Sequence, residues 1–257
     1  MRLDIYLYKY GYLKSRQKAN SLIESQNVKV NGQIITKPSY EIDESLEYVI
    51  EIVQDCPYVS RGGLKLESIL TYANIEVDNM TCIDIGASSG GFTDCLLKNG
   101  AKKVYAIDSG TNQLEPVLKS DSRVISIENY NARNLTIEDI GELVDIITID
   151  VSFISQTLIM PSAFNLLKDN GIYISLIKPQ FEAGRSNVGK GGIVKDKNAR
   201  FQSVMRVIEA AKALSFSCNC LIESPIKGGD GNTEYLAVFS KNNKEFNIDL
   251  IKKLIHK

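Results

Sequence analysis

Between residues 81 and 240 the chain alternates two kinds of patterning. Short, almost wholly apolar runs at 82–85, 103–107, 124–127, 144–150, 171–177, 217–223 and 233–239 read as buried strands. Between them lie stretches with apolar residues three and four apart, which predict helices at 92–99, 158–167 and 198–214. A helix is also expected ahead of the first run, at 60–72, with Ser60 as its cap and Leu64, Leu66, Ile69 and Leu70 apolar. Gly62 and Gly63 weaken its opening turn, so its start is placed near Leu64. A last short amphipathic helix is expected at 246–255, leaving His256, the only histidine, on a frayed end. Strand and helix in alternation give an α/β fold, a mostly parallel sheet with helices on both faces. Ligands bind such sheets at the carboxyl ends of the strands. Asp84, Asp108, Asp150 and Lys178 all fall at or near such ends. Glu234 opens the final strand and joins them if that strand runs antiparallel.

Residues 1–55 are patterned differently. Leu3, Leu7 and Tyr10 share a helical face that Gly11 stops, and Ser15 caps a second helix over 16–25 with Ala19, Leu22 and Ile23 inward. Val28 to Gly32 is a strand entering an Asn-Gly turn, and a further strand is expected over 48–53. Two helices and a hairpin sheet make a small α+β domain at 1–55. Cys56-Pro57 opens a linker over 56–60, and 61–257 forms the larger domain.

Charge changes the picture. The net value of −1 hides seven basic against two acidic residues in 1–37, followed by six acids and no base in 38–58. A basic patch suits contact with phosphate. Arg16 and Lys18 sit in the first turn of a helix, where positive charge opposes the dipole, a local cost that points to another use. The five cysteines have no zinc spacing and read as reduced thiols, and no metal site is expected. No signal peptide is seen and no apolar run reaches the roughly 18 residues of a membrane span. A soluble, cytoplasmic, monomeric protein with no membrane contact is the expectation.

The chemistry centres on Asp84-Ile-Gly-Ala-Ser-Ser-Gly-Gly-Phe92. Gly86 takes backbone angles closed to other residues, and Gly90 and Gly91 are read as letting the backbone approach a ligand. Asp108 stands about 20 residues on, where an acid suits the two hydroxyls of a ribose. Asn131, in preference to Asn129, is assigned to an adenine edge. The glycine spacing is not that of a dinucleotide fingerprint, whose first helix receives a pyrophosphate. The turn resembles that of class I methyltransferases, whose S-adenosylmethionine (SAM) carries no phosphate; that resemblance assigns Asp84, Gly86, Ala87, Ser88, Gly90, Gly91, Phe92, Asp108, Asn131 and Asp150 to the cofactor.

Two further resemblances cover the chain. Arg2-Leu-Asp, Gly11, Ser15-Arg-x-x-Ala-x-x-Leu-Ile23, Val28-x-Val-Asn-Gly32 and Lys37-Pro-Ser39 are similar to the S4 RNA-binding domain. That implies recognition of folded RNA through shape and phosphates, with Arg2, Lys9, Ser15, Arg16, Lys18 and Lys29, joined by Arg61, Arg185 and Lys190, as contacts. Ser60-Arg-Gly-Gly-Leu-Lys65, Asp150-Val-Ser-Phe-Ile154, Lys178-Pro-Gln-Phe-Glu182 and Gly189-Lys-Gly-Gly-Ile-Val-Lys-Asp196 resemble FtsJ/RrmJ-type 2′-O-methyltransferases and, with the S4 domain in front, the TlyA (haemolysin A) family. The resemblance implies a sheet of order 3-2-1-4-5-7-6, a Lys65–Asp150–Lys178–Glu234 catalytic set, and ribosomal RNA or ribosomal subunits as partner, with cytidine the base. Glu234 is then expected beside Asp150 and Lys178, and Lys178 is either the orienter or the base for a ribose hydroxyl. The loop 184–196, rich in glycine and cations, suits closure over a phosphate-bearing substrate. The competing classes are a non-catalytic ribosome-assembly factor and a membrane-acting haemolysin. Tyr58-Val59 has no evident role in any of them.

Overall fold

The computed structural model of the protein describes residues 1–13, 15–24, 27–52, 56–228, 230–241 and 247–256. Its contacts form two compact units, Met1–Pro57 and Tyr58–Lys257. In the first, helices α1 (Leu3–Lys9) and α2 (Arg16–Glu24) accompany a small antiparallel sheet of β1 (Val28–Val30), β2 (Gln33–Ile34) and β3 (Ile50–Ile52) in the order β2-β1-β3. Leu3, Leu7, Ala19, Ile23 and Val28 close the core. Asn31 and Gly32 have φ of 50° and 79°, the paired left-handed residues of a type I′ hairpin. The Ser15 hydroxyl oxygen accepts from Lys18 N at 3.2 Å and so caps the helix, with its own O–H left to donate. Tyr10, expected inward, is half-exposed because α1 ends at Lys9. Residues 25 and 53, the expected ends of a helix and a strand, lie outside the described residues.

Asp4 is fully buried and takes Arg2 Nε and Arg16 Nη2, each at 2.9 Å. Burial alone would raise its carboxyl; the hydrogen bonds and charges of the two guanidinium groups outweigh that and hold it below the ordinary value. The cation in the first turn of α2 therefore has an acid of its own. Lys9 likewise meets Glu44 at 2.7 Å and Lys29 meets Glu51 at 3.6 Å, so the acidic strip folds back on the basic patch.

The second unit is a seven-stranded sheet. In chain order it contains α3 (Gly62–Tyr72), β4 (Thr81–Ile85), α4 (Gly91–Lys98), β5 (Lys103–Ile107), α5 (Pro116–Lys119), β6 (Val124–Ile127), α6 (Ile137–Ile140), β7 (Val144–Ile149), α7 (Met160–Phe164), β8 (Leu167–Ile177), α8 (Pro179–Glu182), α9 (Lys197–Ala213), β9 (Ser217–Glu223), β10 (Tyr235–Ser240) and α10 (Ile248–His256). The strand order is β6-β5-β4-β7-β8-β10-β9, with β10 antiparallel to both neighbours. This is the 3-2-1-4-5-7-6 order, and the unit has the class I, Rossmann-like methyltransferase architecture. Ile83, Ile147, Tyr173 and Phe239 anchor its core.

Three details depart from expectation. The helix read over 158–167 is only α7, and its last residues instead open β8, which begins at Leu167 because Val144 already pairs there. His256 is not frayed: it ends α10, its carbonyl accepts from Lys197 Nζ at 3.0 Å, and its ring meets Phe201. And α3 starts at Gly62, not Leu64. The cause is packing. A Cβ on Gly63 would overlap the Tyr58 ring, and one on Gly91 would overlap Ser60 Oγ and stand 3.0 Å from Gly63 N. Glycine at 63 and 91 lets the first turns of α3 and α4 lie close together, which outweighs the propensity cost; a Cβ at Gly62 would make only ordinary contacts. Tyr58 gains its role here: it is buried, and its hydroxyl donates to Glu67 Oε1 at 2.9 Å, while Val59 N donates to Asp94 Oδ2 at 2.8 Å.

Gly63→Ala is expected to destabilise the protein by about 1–3 kcal/mol through overpacking against Tyr58. The check is the urea midpoint at unchanged slope; an unmoved midpoint counts against this packing.

Candidate active site

The site is assembled at the carboxyl ends of β4, β5, β7 and β8 and the start of β10. After β4 the chain turns at Gly86, whose φ is 83°. Its N–H and that of Ala87 both donate to the Ile107 carbonyl, at 2.8 and 3.1 Å. A Cβ at Gly86 would run into the Asp150 carbonyl, so glycine is what lets the turn pass the end of β7. Gly90 and Gly91 do a different job from the one expected: the space beside them is filled by Leu114 and Leu118 in one case and by Ser60 in the other. They make room for protein. Phe92 is buried against Gly62.

Asp84 is also placed behind the turn, fully buried, where it accepts from Thr93 Oγ1 at 2.7 Å and Thr148 Oγ1 at 2.9 Å. Burial pushes its carboxyl up to about 6; the Thr93 and Thr148 hydroxyls offset part of the rise and the nearby Asp150 adds to it. Asp84 thus fixes α4 and β7 to β4.

In front of the turn lies a cavity of about 320 Å³ lined by Gly86, Ser88, Asp108, Gln113, Tyr130, Asn131 and the run Asp150–Ile154, with Ile85, Ile107 and Ile159 as apolar wall. Asp84, Ala87, Gly90, Gly91 and Phe92 are not among its lining residues. Asp108 accepts from Ser88 N at 2.8 Å and Gly110 N at 2.7 Å, one on each oxygen, which holds the carboxylate in place with lone pairs to spare for two hydroxyls. Asn131 Oδ1 accepts from Arg133 N and Nε, both at 3.2 Å, leaving the amide nitrogen as the group for a ligand. Asn129 does not line the cavity. Among the described lining residues there are two carboxylates, Asp108 and Asp150, and no lysine or arginine. A pyrophosphate would be unfavourable here. A nucleoside bearing a sulfonium and an ammonium fits both the carboxylates and the apolar wall.

The lining residue Asp150 belongs to one ion pair, and a second stands at the start of β10. Lys178 Nζ is 2.6 Å from Asp150 Oδ1 and donates to Ser152 Oγ at 3.0 Å. Lys65 Nζ is 2.7 Å from Glu234 Oε2, and Gln180 Nε2 donates to Glu234 Oε1 at 3.3 Å. The antiparallel β10 carries Glu234 to this rim as expected, next to the Tyr235–Ile177 pairing and so level with Lys178, and its carboxylate bonds to Lys65 and Gln180. Gln180 was not singled out from sequence.

Nor was Phe153. It is 93% exposed, lines the cavity, and has φ of 65°, a sparsely populated region for an aromatic residue. Its ring lies 5.3 Å from that of Phe181, and Lys178 Nζ is 6.0 Å from the Phe181 centroid. The available signal was an aromatic three residues after Asp150, in the loop that leaves a strand end. Glu182 ties these two loops together: Ser155 Oγ and Gln156 N donate to its carboxylate at 2.6 and 2.9 Å. Burial raises the Glu182 carboxyl despite those bonds. Arg61, Arg185 and Lys190 are exposed and outside the cavity lining.

Comparison with known proteins decides the family. The FtsJ-like methyltransferase model matches residues 58–241 and the S4 domain model residues 1–47. The chain belongs to the FtsJ-like methyltransferase family. It joins that FtsJ-like unit to an S4 unit, and its relatives have the same span. Hemolysin A of Brachyspira hyodysenteriae is 47% identical over 93% of this chain and 99% of its own. The "16S/23S rRNA (cytidine-2'-O)-methyltransferase TlyA" of Mycobacterium tuberculosis is 38% identical over 91% of this chain and 87% of its own. A putative hemolysin from Streptococcus thermophilus superposes with a TM-score of 0.79 at 42% identity, covering 100% of this chain and 94% of that one. Among the described residues no helix of this FtsJ-like protein is long and apolar enough to cross a membrane.

The buried carboxylate behind the turn gives a pH test. A carboxyl raised to about 6 in the fold and at its ordinary value when unfolded adds stability below pH 4 that is lost as pH rises through 6. Relative to Asp84→Asn, the wild type should therefore lose about 2 kcal/mol of unfolding free energy between pH 4 and pH 7. Denaturant titrations of both proteins at the two pH values check it; a constant difference refutes the assignment.

Proposed function

We propose that this protein transfers the methyl group of SAM to the 2′-oxygen of a cytidine ribose in ribosomal RNA. The observation that carries the reading is a cavity with no lysine or arginine among its described lining residues, joined through Asp150 to Lys178, with the Lys65–Glu234 pair brought level with Lys178 by the β8–β10 register. Family membership supports the reaction class, and the activity printed for the Mycobacterium tuberculosis relative supports cytidine as the base.

Asp108 and Asn131 would hold the nucleoside of SAM, and Asp150 its positively charged end. When bound, SAM supplies an electrophilic methyl on a sulfonium, which leaves as a neutral thioether. The chain's residues do the rest. Lys178, fixed by Asp150 and Ser152, would orient the ribose hydroxyl for in-line attack; as the C–O bond forms and the methyl–sulfur bond breaks, the hydroxyl proton passes to water. Lys65 and Glu234 hold the second side of the pocket, with Gln180 bonded to the same carboxylate. The exposed Phe153 ring, braced by Phe181, offers a face on which the target base stacks. Arg61, Arg185 and Lys190 on this unit, and Arg2, Lys9, Arg16, Lys18 and Lys29 on the S4 unit, contact RNA phosphates.

Labelled methyl transfer from SAM to purified 30S and 50S subunits tests the reading, with the modified nucleotide mapped. Lys178→Ala should lose roughly 10²–10⁴ in rate while SAM still binds by calorimetry. A variant that methylates normally removes Lys178 from the mechanism. Phe153→Ala should weaken kcat/KM for RNA by about 1–3 kcal/mol, with Phe153→Tyr close to wild type. Equal activity of the alanine and tyrosine variants rules out stacking.

A further inference from the structure

The glycine-rich basic loop 184–196 has little regular structure, only a 3₁₀ turn at Arg185–Asn187. Its second half is nonetheless held by one buried side chain. Asn232, 1% exposed, accepts from Val194 N on Oδ1 at 3.0 Å and donates from Nδ2 to the Gly192 carbonyl at 2.9 Å. Those two partners, one N–H and one C=O, fix which way the amide faces. Its own carbonyl accepts from Gly228 N at 2.9 Å. Gly228 in turn packs on the Glu234 carboxylate: a Cβ there would come within 2.5 Å of Glu234 Oε1. Lys190 and Lys195 on the loop are exposed, whereas Val194 between Ile193 and Lys195 is buried. The clamp therefore joins a loop that presents cations to solvent with the turn that backs a carboxylate of the ion-pair set, two residues further along the chain.

We propose that Asn232 is a positioning residue that registers the basic loop against the Glu234–Lys65 pair, so that RNA phosphates engaged by Lys190 and Lys195 set the placement of Glu234. This rests on the RNA methyltransferase reading above. Its mechanical basis is that a residue whose side-chain amide holds two backbone groups of the loop, and whose own main-chain carbonyl holds Gly228 N of the turn, cannot follow the loop without moving the turn. Asn232 touches neither cofactor cavity nor reacting atoms. Its effect is expected on turnover with RNA rather than on SAM affinity.

The test compares full-length wild type, Asn232→Ala and Asn232→Asp, the last keeping the Val194 bond but unable to donate to Gly192. Trypsin should cleave after Lys190 and Lys195 at least about tenfold faster in N232A, because the loop has lost both bonds. SAM affinity by calorimetry should stay within about twofold, while kcat on ribosomal subunits falls about tenfold or more, N232D lying between. Subunits should protect the loop of wild type from trypsin and not that of N232A. Faster cleavage with unchanged kcat overturns the coupling, as does a loss of SAM affinity parallel to the loss of rate. If N232A does not fold, N232D carries the same comparison. If wild type itself methylates no subunit, the function reading fails first and this inference falls with it. An active wild type with an equally active, loosened variant sinks the inference alone.

Discussion

The contact between Lys65 and Glu234 spans 169 residues of sequence and closes the second unit on itself. Lys65 belongs to the helix that precedes the sheet, and Glu234 directly precedes β10, which among the described strands runs antiparallel to both its neighbours. Both side chains are largely withdrawn from water, 12% and 2% exposed. Such a pair is not a strong source of stability, since the cost of desolvating two charges offsets most of their attraction. What it supplies is register. If either charge lost its partner, the other would be buried alone, so α3 and β10 are held to one relative placement. Gly63 and Gly91 serve the same end by letting α3 lie close to α4.

From this follows a division of labour along the rim. Residues that hold the turn face inward, and residues that face the cavity are held by backbone donors. Asp84 exemplifies the first group, with both carboxylate oxygens committed to threonine hydroxyls. Asp108 exemplifies the second, fixed by two N–H groups that leave it able to accept more. Both are acids at neighbouring strand ends, and sequence alone gives them one label. Burial separates them. The same distinction applies to Gly86, which yields to the Asp150 carbonyl, and to Gly90, which yields to leucine side chains.

The central strands β4, β5 and β7 were legible because each is a short, nearly all-apolar run, as a strand buried on both faces requires. The position of Asp108, Asp150 and Lys178 followed from where the apolar runs stop, and the reversal of β10 came with the family's sheet order. Pairing across the rim was not legible: periodicity places Glu234 at an edge but does not say which of three nearby cations or amides it reaches. The start of α3 was misplaced for a related reason. Helix propensity penalises Gly62 and Gly63, and only the Tyr58 ring and Gly91 show why the penalty is outweighed. Phe153 escaped notice because exposure is not written in a hydrophobic residue's type.

The charges of the S4 unit sharpen what kind of RNA contact is physically open to it. Arg2 and Arg16 are about half exposed, yet both are bonded to buried Asp4. A guanidinium has five N–H donors, so one edge can hold the carboxylate while another meets a phosphate. A lysine paired with an exposed acid is different: Lys9 must share or leave Glu44 to reach RNA. Exposed pairs of that kind are weak and screened by salt. Under the proposed function, RNA binding through this surface would exchange acidic partners for phosphates, with the arginines pre-oriented by Asp4 and the lysines recruited at small cost. That explains how a chain of net charge −1 can present a site for a polyanion: its excess acid is placed where it organises the cations.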